Sequence, residues 1–335
     1  MGHIGILGAG SWGTAIAKHL GDLGRSVRLW ARDDALASEM QQQRQNPRYL
    51  PDCELPTTVH CTGDLAETVR GAETVYFVIP SHGLREVAAQ AAPLLGSQTP
   101  VISASKGIEN DSLRLMNQVL AEELGSDQAD RLCALGGPSF ALEVAQNLPT
   151  AVCVAGHNPA VAHHIQAQLA ARHFRVYTTD DVLGIELGGA LKNVIAIAVG
   201  AADGLGFGHN ARAALITRGI AEISRLAVHM GAHPQTLAGL GGLGDLVLTC
   251  TGNLSRNRRV GLELGGGTPL SEVLGHSTMV AEGVRTAKSA YQLGQQQGVE
   301  LPITNEVYAA LYEGRTPKDA VSALLSRALR PERDD

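Results

Sequence analysis

Apolar residues recur along the chain in two different rhythms. Through the first half, short apolar runs alternate with amphipathic stretches. Ile4-Gly5-Ile6-Leu7 is such a run, and it stops at Gly8-Ala9-Gly10-Ser11-Trp12-Gly13 before a helical segment at 14–20. A second strand is expected at 26–30 and a short one at 57–61, and 74–79 reads as a buried strand from its β-branched and aromatic content. Further strands are expected at 100–104, 132–135, 150–155 and 174–178, with helices at 35–45, 84–95, 113–124 and 159–171. A small helix ending near Arg70 has Thr62 or Asp64 as its candidate cap. Two prolines, Pro47 and Pro51, force a loop after the helix at 35–45. This alternation predicts an α/β fold over residues 1–180, with a Rossmann-like, doubly wound, mainly parallel sheet.

Beyond residue 180 the rhythm changes. Alanine-rich helical segments are expected at 182–200, 211–230, 270–274, 286–297, 304–312 and 317–329, joined by glycine-rich loops at 204–208, 239–244 and 265–267. A second, all-helical domain over 181–330 is therefore predicted, packed tightly enough on the first to form a cleft. The most apolar long segment, 184–206, is interrupted by Glu186, Lys192, Asn193 and Asp203. Its unbroken piece, 194–202, falls far short of the roughly 20 residues that cross a bilayer. It reads as a buried helix, so no membrane insertion is expected.

Composition narrows the function classes. The 335 residues are 44% hydrophobic and 18% charged, which suits a globular chain of two domains. The net charge of −6 argues against nucleic-acid partners, so any phosphate chemistry must use a local basic pocket. Cys53, Cys61, Cys133, Cys153 and Cys250 are scattered, odd in number and contain no C-x-x-C pair, the pattern of free thiols in a reducing cytoplasm. No cationic region and cleavage site open the chain, so no signal peptide is read. The histidines give no metal site: Gly231 and Pro234 interrupt any helix that would align His229 with His233, and His163 and His164 lie on a solvated helix. Ser139 lacks the G-x-S-x-G context of a hydrolase nucleophile.

The residues that could do chemistry fall at strand ends and in the helical half. Gly8, Gly10 and Gly13 have the G-x-G-x-x-G spacing between a strand and a helix. There they provide a tight turn, close backbone approach of a pyrophosphate, and close helix–strand packing. The second strand ends at Arg32-Asp33-Asp34. An acid there grips a ribose 2′-hydroxyl, whereas an arginine pairs with a 2′-phosphate. This mixed signal reads as a site able to take NADP, with dual use alongside NAD; a solvated turn and helix cap is the alternative. Pro80-Ser81-His82 and Lys106 follow strands, at the sheet edge where ligands bind. Lys192 stands in an otherwise apolar helix, where burial would lower its pKa toward the range of a general acid/base. Glu186, six residues earlier, lies on another face and is a poor partner for it. Asp245 follows flexible glycines as a helix cap or active-site carboxylate would, and Ser255-Arg256-Asn257 offers a hydroxyl, a guanidinium fork and an amide to a phosphate. A loop at 279–283, MVAEG, could close over a cofactor.

Taken together, GAGSWGTA, the Ser105-Lys106-Gly107 turn, GGPSFA, ELGGALKNVIAIA, GLGDLVLTCTGNLSRNRRVG and MVAEGV resemble the bacterial NAD(P)-dependent sn-glycerol-3-phosphate dehydrogenase family from residue 4 to about residue 316. The resemblance implies a C-terminal domain like that of 6-phosphogluconate dehydrogenase. It implies that Gly8, Gly10, Ser11, Trp12 and Gly13 hold the cofactor pyrophosphate region and Arg32 the adenosine 2′-phosphate, and that Ala141, Arg256, Val280, Glu282 and Lys106 border the cofactor. Lys106, Gly137 and Ser139 would line the substrate, Lys192 would be the catalytic acid/base, and Asp245 and Thr249 would support it. Ser255, Arg256 and Asn257 would take the substrate phosphate. Where the family often has a second basic residue after Arg32, this chain has Asp33. The reaction implied interconverts dihydroxyacetone phosphate and glycerol 3-phosphate, supplying the latter to phospholipids, with no metal. Two other readings remain at this stage. One is a related two-domain dehydrogenase of a different keto or hydroxy acid, which would not need the Ser255–Asn257 cradle. The other is a dinucleotide-binding sensor without turnover. The apolar helices would suit a homodimer.

Overall fold

The structure is a computed structural model that describes residues 2–275, 281–329 and 331–332. Eight strands form one sheet: β1 (His3–Leu7), β2 (Val27–Trp30), β3 (Val59–Thr62), β4 (Ala72–Phe77), β5 (Val101–Ser103), β6 (Leu132–Gly136), β7 (Thr150–Gly156) and β8 (Phe174–Thr179). Their spatial order is β3-β2-β1-β4-β5-β6-β7-β8. All neighbours are parallel except β6 and β7, where Cys133 faces Gly156 and Gly136 faces Cys153. Chain order reverses at β1, which pairs with β2 on one side and β4 on the other. Open α/β sheets have their binding crevice beyond the strand ends at such a switch point.

β1 is buried along its whole length, as a central parallel strand must be, and Ile4, Ile6, Leu29 and Tyr76 lie in the core beneath one layer of helices. Leu7, Val75, Phe77 and Val101 serve the opposite face. The expected strands are present with ends shifted by a residue or two. The helix expected at 113–124 begins later, at Met116, because Asp111 and Leu113 adopt left-handed backbone conformations in the preceding turn.

After β8 the chain is helical. The helix Val182–Gly204 is central: its N-cap Asp181 accepts from the Gly184 N–H, and most of its residues are buried. It is long and apolar enough to cross a bilayer, but 89% of its apolar window lies inside the protein, which identifies a core helix. Leu187, Leu191 and Val194 meet Ile223, Leu226, Leu246, Leu293 and Val307 from the surrounding helices. The residues that follow Ser255, the first of the three expected to cradle a phosphate, form a helix, Arg256–Gly265, capped by Ser255. It packs backbone to backbone on the central helix. A Cβ at Gly200, Gly261 or Gly265 would collide with a carbonyl oxygen of the opposing helix, that of Arg258, Ile197 or Ala201 respectively.

Two buried carboxylates join elements end to end. Glu222 accepts from the Ile303 and Thr304 N–H groups and the Thr304 hydroxyl, capping the helix Pro302–Tyr312. Glu186 accepts from the Asn117 N–H at 2.8 Å, so the central helix caps the helix Met116–Leu124 of the sheet domain. Burial pushes the Glu186 carboxyl up to about 8, with only the Asn117 N–H opposing it. The folded protein therefore holds a proton there that the unfolded chain releases, so this group makes stability fall as pH rises from about 5 to about 8. Glu186→Gln keeps the acceptor and removes the titration. It is expected to raise Tm at pH 8 by roughly 2–6 °C while changing it little at pH 5. Thermal melts across that range check this, and an equal shift at both values would refute it.

Candidate active site

The glycine turn after β1 has the shape of an anion site. Gly8 is left-handed (φ +115), and a Cβ at Gly13 would collide with the Gly8 carbonyl oxygen. Gly10 differs: no atom lies within 4 Å of where its Cβ would be, so there is open space over the turn. Gly10 is also the N-cap of the helix Ser11–Asp22 and has no side chain to cap its first turn. The Trp12 Nε1 is buried without a partner among the described residues. A roomy turn at a helix N-terminus, with an unpartnered indole N–H beside it, fits the pyrophosphate of a dinucleotide. The turn is held from behind by Asn46, which donates to the Ala9 carbonyl and the Thr14 hydroxyl, both at 2.8 Å. Ser11 in turn donates to the Tyr49 carbonyl.

At the end of β2, Asp33 is a helix cap. Its carboxylate accepts from the Ala35 and Leu36 N–H groups and pairs with Arg48 at 3.1 Å. The Leu36 N–H leads the interactions that hold this carboxyl below its usual range. Arg32 is exposed, with no hydrogen-bond or ion-pair partner among the described residues. Burial and the Arg285 charge disfavour protonation of His82, with Glu282 opposing them and the Arg32 charge adding a small effect.

Deeper in, the two domains meet at one carboxylate. Lys106, just beyond β5, reaches Asp245 Oδ2 at 2.7 Å, and Lys192 from the central helix bonds Asp245 Oδ1. Lys192 also donates to the Thr249 hydroxyl at 2.9 Å, which itself donates to the Asp245 carbonyl. Asp245 is 1% exposed. One turn of π-helix, Leu240–Gly244, delivers it to this position, with the Gly241 carbonyl so close to Gly188 that a side chain on Gly188 would not fit. Burial lowers the Lys192 ammonium to about 7; Asp245 pulls the other way, and Lys106 adds to the lowering. For Asp245, burial raises the carboxyl, but the two ammonium groups outweigh it and the net direction is down.

The remaining candidates surround this centre. The Gly137 carbonyl lies 3.4 Å from the Lys106 ammonium and accepts from the Ser139 hydroxyl, and Ala141 opens the next helix. Ser255 and Asn257 are already engaged: Ser255 accepts from the Arg258 N–H, while Asn257 donates to Asn193 and accepts from the Gly283 N–H. Arg256 has no hydrogen-bond or ion-pair partner among the described residues. Burial disfavours its charge and Glu282 favours it. Glu282 accepts from the Ser81 N–H and hydroxyl. Val280 lies outside the described residues. Among the described residues, no group of three or more His, Cys, Asp or Glu side chains could hold a metal.

Residues 3–162 and 181–322 match the N-terminal and C-terminal families of NAD-dependent glycerol-3-phosphate dehydrogenase. The chain belongs to this family. It is 52% identical to the Geobacter sulfurreducens glycerol-3-phosphate dehydrogenase (NAD(P)+) and 51% identical to that of Citrifermentans bemidjiense, in each case over 98% of both chains. The solved glycerol-3-phosphate dehydrogenase of Coxiella burnetii superimposes with a TM-score of 0.93 at 43% identity, over 97% of this chain and 99% of that one. As an NAD(P)-dependent dehydrogenase family member, the chain uses a nicotinamide dinucleotide.

Asn46 and Asn193 were not candidates from the sequence, and Ser81 was noted only for its place at a strand end. Each acts through hydrogen bonds to distant residues, and the only local signals were the Pro47 break, the strand-end position of Ser81 and an asparagine inside an apolar helix. Asp245→Asn leaves a buried ammonium group, Lys192, and a half-buried one, Lys106, facing a neutral amide. A loss of about 3 kcal/mol in unfolding free energy is expected, together with a Lys192 pKa below its present value of about 7. Denaturant titration and the pH dependence of turnover measure both. Wild-type stability in the variant would show that the triad is not tightly coupled.

Proposed function

We propose that the chain reduces dihydroxyacetone phosphate to sn-glycerol 3-phosphate, and catalyses the reverse, with Lys192 as proton donor and acceptor. The observation that carries this is the buried Asp245 carboxylate paired with both Lys192 and Lys106 where the two halves of the chain meet. A bound nicotinamide supplies or takes up a hydride. Lys192 gives its proton to the developing alkoxide at the substrate C2 oxygen and takes it back in oxidation. Lys106 places a second positive charge near that oxygen, and Asp245 and Thr249 fix the direction in which the Lys192 ammonium points. Arg256, whose fork has no partner among the described residues, takes the phosphate, and this remote anchor orients the carbonyl.

Arg32 is proposed to bind an adenosine 2′-phosphate. Asp33 stays ionised beside it, but its carboxylate is turned to its own helix and its charge is offset by Arg48. The product would feed phospholipid synthesis. A cytoplasmic setting is supported by five free, buried thiols, and self-association by the exposed Leu243, Val247 and Leu254.

The deciding assay follows loss of reduced-nicotinamide absorbance with dihydroxyacetone phosphate and NADPH or NADH. No turnover with either would overturn the reading. Lys192→Ala should lower kcat by about 1,000-fold, Arg256→Ala should raise the substrate KM by about 30-fold at similar kcat, and Arg32→Ala should raise KM for NADPH by about tenfold and leave NADH unaffected. Reduction needs the protonated ammonium and oxidation the free amine. kcat for reduction should therefore fall as pH rises through about 7, and kcat for oxidation should fall as pH drops through it. Parallel pH profiles in the two directions would remove Lys192 from this role.

A further inference from the structure

Arg256 and Glu282 lie close enough for the carboxylate to favour the guanidinium charge, yet no hydrogen bond or ion pair joins them. The reason is in plain view. Both Glu282 oxygens are taken by Ser81: Oε1 accepts from its backbone N–H at 3.1 Å and Oε2 from its hydroxyl at 2.7 Å. Ser81 is 3% exposed and stands just beyond β4, in the sheet domain, whereas Glu282 opens the helix Glu282–Gln297 of the other domain. Gly107, next to Lys106, closes over this contact. A Cβ there would come within 2.7 Å of Ser81 Cβ and 3.4 Å of Glu282 Oε2.

The start of the Glu282 helix is held from its other side as well. The Gly283 N–H donates to Asn257 Oδ1 at 2.9 Å, which requires the amide oxygen to face it. Asn257 Nδ2 then donates to Asn193 Oδ1 at 2.9 Å, and Asn193 Nδ2 donates to the Gly189 carbonyl. Gly283 sits so near the Asn193 carbonyl that a Cβ would approach it to 2.6 Å. Residues adjacent to Arg256 and to Lys192 therefore anchor the peptide that carries Glu282, and Ser81 decides which way its carboxylate points.

We propose that Ser81 is a positioning residue for the substrate anchor, holding the Glu282 carboxylate on the sheet domain so that it does not pair with Arg256 in place of the substrate phosphate. The inference rests on Arg256 being the phosphate anchor. Without the Ser81 hydroxyl, Glu282 keeps one backbone bond and is free to turn its second oxygen toward the guanidinium. It then acts as an internal competitor for the substrate. Ser81 touches neither substrate nor the reacting atoms in this account.

The test is a charge-specific comparison. Ser81→Ala, assayed at saturating reduced cofactor, should raise KM for dihydroxyacetone phosphate about fivefold with kcat within about twofold of wild type. In a Glu282→Gln background the competing charge is absent, so there the same Ser81→Ala change should alter KM by no more than about twofold relative to Glu282→Gln alone. A general loosening of the domain junction would raise KM in both backgrounds. The idea is overturned if Ser81→Ala leaves KM unchanged, or if it raises KM equally in the Glu282→Gln background. If Ser81→Ala does not fold, Ser81→Cys, which keeps the size of the side chain and weakens its donor, takes its place in both backgrounds under the same criteria. Absence of turnover in the wild-type protein would instead refute the proposed reaction.

Discussion

Asp245 is the group on which the rest depends. A carboxylate with 1% exposure is tolerable only because two ammonium groups approach it, and they come from different halves of the molecule. Lys106 is delivered by the end of β5 and Lys192 by the middle of the central helix. The cluster therefore exists only when the domains are docked. With both lysines charged it carries one excess positive charge. That excess disappears when Lys192 gives up its proton, so in the proposed reaction electrostatic stabilisation of a nascent alkoxide and transfer of the proton to it would be a single event at this centre.

Small residues do much of the positioning. The π-turn before Asp245 needs Gly188 opposite it, the Lys106 turn needs Gly107 against Ser81, and the Glu282 helix needs Gly283 against Asn193. In each case one backbone rests on another chain segment with no side chain between them. Such contacts have little slack, because a shift must move a whole element rather than a rotamer. They place the polar groups of the site on rigid surfaces.

The parts of this arrangement legible in the sequence were those with a local signature. The glycine turn announced itself through its strand and helix neighbours, and Lys192 through being charged in a run that is otherwise apolar. The Arg256 helix was hidden because its opening, SRNRR, is polar throughout and has no apolar period to reveal a helix; only the Ser255 cap marks its start. The role of Asp33 was ambiguous because cap and ribose ligand demand the same residue type, and the bond to Arg48 that separates them spans 15 positions. The late start of the helix Met116–Leu124 came from backbone conformations at Asp111 and Leu113 that residue identity does not favour. The bonds of Asn257 to Asn193 and Gly283 were not legible because an amide's partners cannot be read from its neighbours.

The glycine seam between the central helix and the helix Arg256–Gly265 has a bearing on selectivity. Gly200 and Gly204 on one helix and Gly261 and Gly265 on the other bring the two axes into direct backbone contact, with no compressible layer between them. Lys192 and Arg256 ride on these two helices. The interval between the backbones that carry the proposed proton donor and the proposed anion fork is thus set by peptide geometry, as on a ruler cut from a stiff material. In those proposed roles, a molecule whose carbonyl and phosphate are one carbon farther apart would meet a gauge that does not stretch, and discrimination by length would follow without any side chain having to recognise the extra atom.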